Sequence, residues 1–181
     1  RADVIASPLD FSWAWYLRDT GVLNFQWSED GGVGSGWSSV TSDASIPANA
    51  GRLAIRVTLD VDNGVGNHVV TFYTGPDIDA GPWTQLGGAP AISGTTSIFD
   101  SDAPVILGGS VEGVPIFGQD SPLDGEIFAA RILDGIDGTT AGDPDFSGYE
   151  PEDREFEDTV GNTWTLHDSA TFTDDSIRFS G

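Results

Sequence analysis

Residues 51–88 read GRLAIRVTLDVDNGVGNHVVTFYTGPDIDAGPWTQLGG and carry the clearest strand pattern of the chain. Hydrophobic and polar side chains alternate over residues 53–61, which is the period of a strand that buries one face. The glycine-rich run 63–67 tolerates the positive φ angles of a tight turn, and residues 68–74 form a second segment rich in β-branched and aromatic side chains. The stretch therefore predicts a long β-hairpin, followed by a short strand at residues 83–86.

Similar patterns on both sides of this hairpin predict further strands. Residues 125–133 carry apolar side chains on both faces, which predicts a strand covered on both sides. The glycine- and proline-rich residues 134–149 are expected to form a surface loop. No segment has a sustained helical period. The other predicted strands are residues 10–17, 23–28, 37–41, 92–99, 105–107, 155–158, 162–167 and 176–179.

Taken together, these segments predict an all-β protein, with two antiparallel sheets packed as a β-sandwich. A length of 181 residues suits one domain over residues 1–181, and 24 Gly and 10 Pro supply the many turns that short strands require. Trp13, Trp15 and Trp27 lie on the apolar phase of their strands and are expected in the core. Because the chain begins at Arg1 and contains no Met, we expect a processed polypeptide or part of a longer one.

The composition excludes several classes of function. The chain has no Cys, which removes disulfides, thiol catalysis and cysteine metal sites. It has 29 acidic residues against 7 basic ones, all Arg, and a formal net charge of −22. Phosphates of nucleic acids and anionic membranes would be repelled, so neither is an expected partner. The acidity has two explanations, a GC-rich genome that favours Arg and Asp or a need for solubility at high salt, and we favour the first.

Several motifs point to a known family. They are RVTLDVDNG at 56–64, VVTFYTG at 69–75, GPWTQLGG at 81–88, GVLNFQWSEDG at 21–31, TTSIFDSDAPVILGG at 95–109, GEIFAARILDGIDG at 125–138 and FEDTVGNTWTLHDSA at 156–170. With these motifs, nearly the whole chain resembles the concanavalin A-like, laminin G-like jelly-roll modules. It is most similar to those in minor tail and other virion proteins of tailed bacteriophages that infect actinobacteria.

The resemblance implies a jelly roll and a structural or adhesive role in a phage particle, at the tail tip, in a fibre or in another minor tail protein. It also implies a location in the extracellular virion, other virion subunits as partners in a multi-copy assembly, and host cell-surface polysaccharide as a ligand. Two alternatives remain open, namely a secreted carbohydrate-binding or glycoside-hydrolase-associated module and a phage head-decoration protein.

Catalytic motifs of related enzymes are missing. Glucanases of this fold carry a Glu-x-Asp-x-x-Glu pattern, whose two carboxylates flank the scissile bond at about 5 to 5.5 Å. Glu155 and Glu157 share one face of a predicted strand, but no third carboxylate stands at the required offset. We therefore predict that the chain is not an enzyme.

One loop resembles the start of a calcium site. Asp60, Asp62, Asn63 and Asn67 offer alternating oxygen atoms around Gly64, as calcium-binding loops do. An EF-hand would need a glutamate at the position of Thr71, so that motif is incomplete. Laminin G-like domains often hold calcium at a sandwich rim, so the resemblance implies that these four residues are candidates for calcium binding. We favour a plain hairpin turn, because the Asn-Gly and Gly-Asn dipeptides explain the same segment without a metal.

Three tryptophans are candidates for ligand binding. Trp37, Trp83 and Trp164 stand among polar and glycine neighbours, so we expect them to be exposed. Aromatic faces of this kind can stack on sugar rings. These three are the candidate ligand-binding residues.

Overall fold

The computed structural model describes residues 2–3, 11–32, 36–47, 51–79, 81–108, 125–166, 170–173 and 175–179. All regular elements in these ranges are β-strands, and no helix occurs in them, which confirms the all-β prediction. The described residues accordingly include no helix that could cross a membrane. The chain divides into two compact units, Arg1–Gln119 and Asp120–Gly181, which are described separately. A single domain over residues 1–181 stays a prediction.

Fifteen strands within the described ranges form several antiparallel sheets. Their bounds are β1 Ala2–Asp3, β2 Trp13–Leu17, β3 Val22–Ser28, β4 Trp37–Ser45, β5 Ala54–Asp60, β6 Asn67–Gly75, β7 Thr84–Gln85, β8 Ile92–Ser93, β9 Gly125–Ile127, β10 Ile132–Asp134, β11 Thr139–Gly142, β12 Glu155–Glu157, β13 Thr163–Thr165, β14 Thr171–Phe172 and β15 Ile177–Phe179.

In the first unit, β1, β2, β3 and β4 form one sheet in sequence order. β4 extends to Ser45, beyond the predicted end at residue 41, because its pairing with β3 continues across a register shift between Val22 and Asn24. At this shift the Ser42 hydroxyl accepts a hydrogen bond from the Leu23 backbone N–H at 3.0 Å. The Ser42 hydroxyl thus takes the place of a backbone carbonyl as the acceptor for Leu23, and β4 continues past the register shift.

The predicted hairpin is confirmed as β5 and β6. The two strands pair without a break from Ala54 opposite Gly75 to Asp60 opposite Val69. β7 and β8 also pair with β6, so that β6 is the central strand of the second sheet. Gly64 and Gly66 in the turn have φ angles of 80° and 79°, as the sequence predicts.

Side chains from both sheets share one hydrophobic core in this unit. Leu23, Phe25 and Trp27 of β3 pack with Val70 and Phe72 of β6. Trp27 is fully buried, and the partly buried Trp13 and Trp15 pack against the cluster, which agrees with the predicted core tryptophans. The arrangement is consistent with a β-sandwich.

The opposite face of β3 is buried as well, but it is polar. Asn24 is 0% exposed, and its side-chain amide donates hydrogen bonds to the hydroxyls of Ser39 and Thr41. The Gln26 amide donates to the Tyr16 hydroxyl at 3.0 Å. Central strand β3 is therefore fixed by apolar packing on one face and by side-chain hydrogen bonds on the other.

The described part of the second unit contains three small sheets: β14–β15–β9, β10–β11 and β12–β13. The predicted C-terminal hairpin is confirmed as β12 and β13, with Phe156 opposite Trp164. Phe156 is buried and contacts an aromatic group around this hairpin, whose other members are Phe146, Tyr149, Trp164 and Phe172.

The prediction of one doubly covered strand at residues 125–133 is wrong. The segment contains β9 and β10, which belong to different sheets, and its side chains are half-buried or exposed. Ala129, which lies between β9 and β10, forms an isolated bridge to Asp145 and belongs to neither strand. The chain thus passes from the β14–β15–β9 sheet to the β10–β11 sheet within this segment.

Three loop and strand assignments also differ from expectation. Residues 134–149, predicted as a loop, include β11, which returns along β10 after a turn in which Asp137 has a φ of 54°. Residues 92–99 form a strand only at β8, and Phe99 makes a single backbone hydrogen bond to Ser28. Residues 105–107 are not a strand. Among the residues that the structure describes, the apolar runs at 94–99 and 105–107 lack a continuous partner strand.

Candidate functional site

The outward face of the second sheet carries an aromatic and cationic group. Val57 pairs with Phe72, whose side chain is in the core, so the adjacent pair Arg56 and Tyr73 projects from the other face. The guanidinium carbon of Arg56 lies 5.7 Å from the centroid of the Tyr73 ring and 6.0 Å from that of Trp83. We call Arg56, Tyr73 and Trp83 the Arg56 patch.

Trp83 has its place in the patch because of a glycine. A Cβ atom on Gly75 would lie 3.1 Å from Cε3 of the Trp83 indole and 3.3 Å from its Cζ3. The indole therefore rests against the backbone of β6, where any larger residue would push it away. Arg56, Tyr73 and Trp83 are each half-buried, so part of each side chain is accessible to solvent.

The patch combines two properties that ligand sites use. Its aromatic rings offer flat apolar surfaces, and the nearby guanidinium offers hydrogen-bond donors. Contacts between a cation and exposed rings contribute about 0.5–1 kcal/mol each, which holds the three side chains together before any ligand arrives. Gln85, paired with Tyr73 in the next strand, adds an exposed amide at the edge.

The other two tryptophan candidates lie elsewhere. Trp37 is half-buried at the start of β4, opposite Ser28 in the first sheet. Trp164 is half-buried in β13 of the second unit, where its indole N–H donates to Asp158 at 3.0 Å. The three tryptophans belong to three different sheets, and a ligand-binding role for each stays a prediction.

Asp158 is the centre of the most connected polar group in the second unit. Its side chain is 6% exposed and accepts five hydrogen bonds within the described residues. The donors are the backbone N–H groups of Asp143, Val160 and Asn162, the side-chain amide of Asn162 and the indole of Trp164. Burial alone would raise the pKa of Asp158. The hydrogen bonds lower the pKa by more than burial raises it, so the pKa of Asp158 lies well below its usual range.

Asp143 extends this group to the neighbouring loop. It forms an ion pair with Arg131 through both carboxylate oxygens, at 3.0 and 3.1 Å, and accepts a hydrogen bond from the Thr159 hydroxyl. A general acid needs a raised pKa, and Asp158 has the opposite shift. The group around Asp158 is therefore suited to hold two hairpins together rather than to transfer protons.

The calcium candidates lie together in the β5–β6 turn and accept backbone hydrogen bonds. Oδ1 of Asp60 accepts from the Asp62 N–H, and Oδ1 of Asp62 accepts from the Gly64 N–H at 3.0 Å. Oδ1 of Asn63 accepts from the N–H groups of Val65 and Asn67. Among the described residues, no group of three or more His, Cys, Asp or Glu side chains is placed to hold a metal ion. Calcium binding by Asp60, Asp62, Asn63 and Asn67 stays a prediction.

Arg56 and Tyr73 were not predicted as site residues from the sequence, although the hairpin pattern contained the information needed to pair them. The two predicted hairpin strands end at Val61 and begin at His68. Pairing these two residues across the turn also places Arg56 opposite Tyr73, as the structure does. Extending the strand register from the turn would therefore have predicted that Arg56 and Tyr73 lie side by side.

Comparison of the chain with protein-family models, with curated proteins and with solved structures finds no match. Proposals for its function therefore depend on the residues and contacts described above.

Proposed function

We propose that this chain is a non-enzymatic adhesion module of a tailed-bacteriophage virion, built as a concanavalin A-like jelly roll, which binds carbohydrate on the host cell surface. The observation that carries the binding function is the Arg56 patch on the outward face of the second sheet. The phage context comes from the resemblance of the sequence motifs to minor tail proteins.

Carbohydrate suits the chemistry of the patch. A sugar ring has an apolar face of C–H groups, which packs on the exposed parts of Tyr73 and Trp83, while hydroxyl groups at its edge accept hydrogen bonds from Arg56 and Gln85. A net charge of −22 repels polyanions, so the expected ligand is a neutral glycan. Neutral polysaccharide binds without the charge repulsion that an acidic polymer would meet.

A multi-copy virion compensates for a small site. One patch of three side chains offers limited contact area, and its affinity for a single sugar is expected to be weak. Copies attached to one particle engage one cell surface together, and such linkage raises avidity by about 10²- to 10⁴-fold without new contacts. Other virion subunits are the partners that this arrangement requires.

The environments of Asp158 and Asp143 also favour a non-enzymatic role. Asp158 is held ionised by its donors, and Asp143 is paired with Arg131. Asp158 therefore lacks the environment of a glycosidase acid, which must keep its proton near neutral pH. The expected outcome is that no new reducing ends form when the protein is incubated with laminarin, arabinogalactan or peptidoglycan fragments.

The binding proposal is tested with the multimerised protein on a glycan array and on whole cells. The variant Trp83→Ala removes the indole from the Arg56 patch, and we expect it to lose most of the signal. Trp37→Ala and Trp164→Phe change the other two candidate tryptophans, which lie in other sheets, and test them as competing sites; if the Arg56 patch is the site, both variants should bind as the unchanged protein does.

Two outcomes would overturn this assignment. A blank array together with blank cells for the unchanged multimer would remove the adhesive function. Loss of binding in Trp37→Ala or Trp164→Phe, with binding retained in Trp83→Ala, would move the site away from the Arg56 patch.

A further inference from the structure

The tip of the β5–β6 hairpin contains the only Asn-Gly dipeptide of the chain, Asn63-Gly64. Asparagine followed by glycine can cyclise, because the backbone nitrogen of the glycine reaches the side-chain carbonyl carbon of the asparagine in a five-membered ring. Glycine has no side chain to hinder this approach. Nothing lies within 4 Å of the place where a Cβ of Gly64 would stand, so the tip is open on this side.

The nucleophile of such a reaction has a base beside it. The Gly64 N–H donates a hydrogen bond to Oδ1 of Asp62 at 3.0 Å. Asp62 is exposed and carries a carboxylate that can accept this proton as the nitrogen attacks. General-base assistance of this kind requires the base to lie within hydrogen-bond distance of the proton that it removes, and this contact satisfies the condition.

The electrophile is activated at the same time. Oδ1 of Asn63 accepts hydrogen bonds from the backbone N–H of Val65 at 3.1 Å and from that of Asn67 at 3.3 Å. When Gly64 attacks, negative charge develops on this oxygen. Two fixed donors aimed at it stabilise that charge, as the donors of an oxyanion hole do.

The geometry points to Asn63 as a site of self-modification, where the folded hairpin tip promotes cyclisation to a succinimide and then deamidation. The Gly64 nitrogen forms a bond to Cγ of Asn63, and its proton passes to Asp62. The bond from Cγ to Nδ2 breaks, and ammonia leaves with that proton. Water then opens the ring at either carbonyl, which yields an aspartyl or an isoaspartyl residue.

The product differs from the original tip in charge and in backbone. Each product adds one negative charge beside Asp60 and Asp62, and the isoaspartyl form inserts a methylene group into the chain. The Asn63 N–H donates to the Asn67 carbonyl at 2.9 Å, and Gly94 donates to Gly66, so a longer backbone would disturb the contacts of the tip with the segment after β8.

The test compares the full chain in its folded form with the same chain unfolded in guanidinium, at equal pH and temperature. Mass spectrometry of a peptide that covers residues 60–67 follows the loss of ammonia and the later gain of water. We expect conversion at least about tenfold faster in the folded chain, less than the about 10²- to 10⁴-fold of an enzymatic base because Asp62 is exposed to water. Equal or slower conversion in the folded chain would overturn the inference.

Variants separate the base from the rest of the loop. Asp62→Ala removes the acceptor of the Gly64 proton and should slow the reaction in the folded chain. Asp60→Ala removes the same charge from the same loop without touching Gly64 and should leave the rate nearly unchanged. Equal slowing in both variants would overturn the assignment of Asp62 as the base. Asn162, which precedes Thr163 and donates to Asp158 and Ala141, is an internal control expected to stay unmodified.

Discussion

Asp158 shows how a single carboxylate can organise a hairpin. Its five hydrogen bonds connect the β12–β13 turn to Asp143 and to the indole of Trp164. The variant Asp158→Asn keeps the size of the side chain but turns an NH₂ group towards existing donors. We expect a loss of about 2–3 kcal/mol in the free energy of unfolding at neutral pH, the scale of hydrogen bonds to a charged group. Urea denaturation of the full chain measures it.

The same residue predicts a pH dependence. The pKa of Asp158 is lower in the folded chain than in the unfolded chain, so ionisation stabilises the fold at any pH above the unfolded value of about 4. This contribution declines as the pH falls below about 4 towards the folded pKa. The difference in stability between Asp158→Asn and the unchanged protein should therefore shrink in acid. Glu152→Gln, an exposed change of the same charge, should stay within about 0.5 kcal/mol.

Residue types alone could not reveal these roles. Polar neighbours predicted Trp164 as an exposed residue, but they do not show that its N–H is taken by Asp158. Asp158 itself is one of many acidic residues in the sequence, and only the closed turn brings five donors to it. Trp27 was predictable as core because its strand alternates clearly, and it is fully buried.

The second sheet offers a test of how a strand positions the Arg56 patch. In Gly75→Ala, the new Cβ would contact the Trp83 ring at 3.1 Å, so the half-exposed indole must shift. We expect weaker glycan binding and altered tryptophan fluorescence. The change in stability should be less than about 1 kcal/mol, because alanine at the end of β6 also removes the entropy cost of glycine.

Thr58→Ala provides the control, since Thr58 is a β5 residue two positions from Arg56. It should leave both fluorescence and binding unchanged. Unchanged binding in Gly75→Ala would show that the indole position does not matter to the ligand.

The β5–β6 turn predicts a result for calcium. Oδ1 atoms of Asp60, Asp62 and Asn63 already accept backbone N–H groups, and these hydrogen bonds complete the turn without a metal. We expect the same melting temperature in calcium and in EDTA at matched ionic strength. A higher melting temperature in calcium that disappears in Asp62→Ala would instead establish a calcium site in this loop.

Elements were predictable where the sequence gives both a period and a turn. The β5–β6 hairpin has alternation on each arm and glycines between them, and its strands match the expected ranges within one or two residues. Residues 125–133 have apolar side chains but no internal turn signal. Their division between β9 and β10 depends on partners distant in sequence, such as the pairing of Ile127 with Ile177.

The whole molecule carries a strong excess of negative charge, −22 in formal terms. Self-repulsion of these charges destabilises the compact state most at low ionic strength, where the screening length is about 30 Å at 0.01 M against about 8 Å at physiological salt. We expect the melting temperature to rise by several degrees over this range, in sodium chloride and in choline chloride alike. A constant or falling melting temperature would show that the charges are too dispersed to matter.

Polar partners on the buried outer face of β3 have a further consequence for folding. Sliding β4 along β3 by two residues would keep every apolar side chain on the same face of the sheet. Hydrophobic contacts alone therefore discriminate weakly between these two alignments. In the observed alignment Thr41 stands opposite Asn24, and the Asn24 amide donates to the hydroxyls of both Ser39 and Thr41. A slide by two residues would break this pair of hydrogen bonds and put Ser39 or Asp43 opposite Asn24. The two hydrogen bonds of Asn24 therefore add a directional preference for the observed register, which the apolar packing of the other face does not supply.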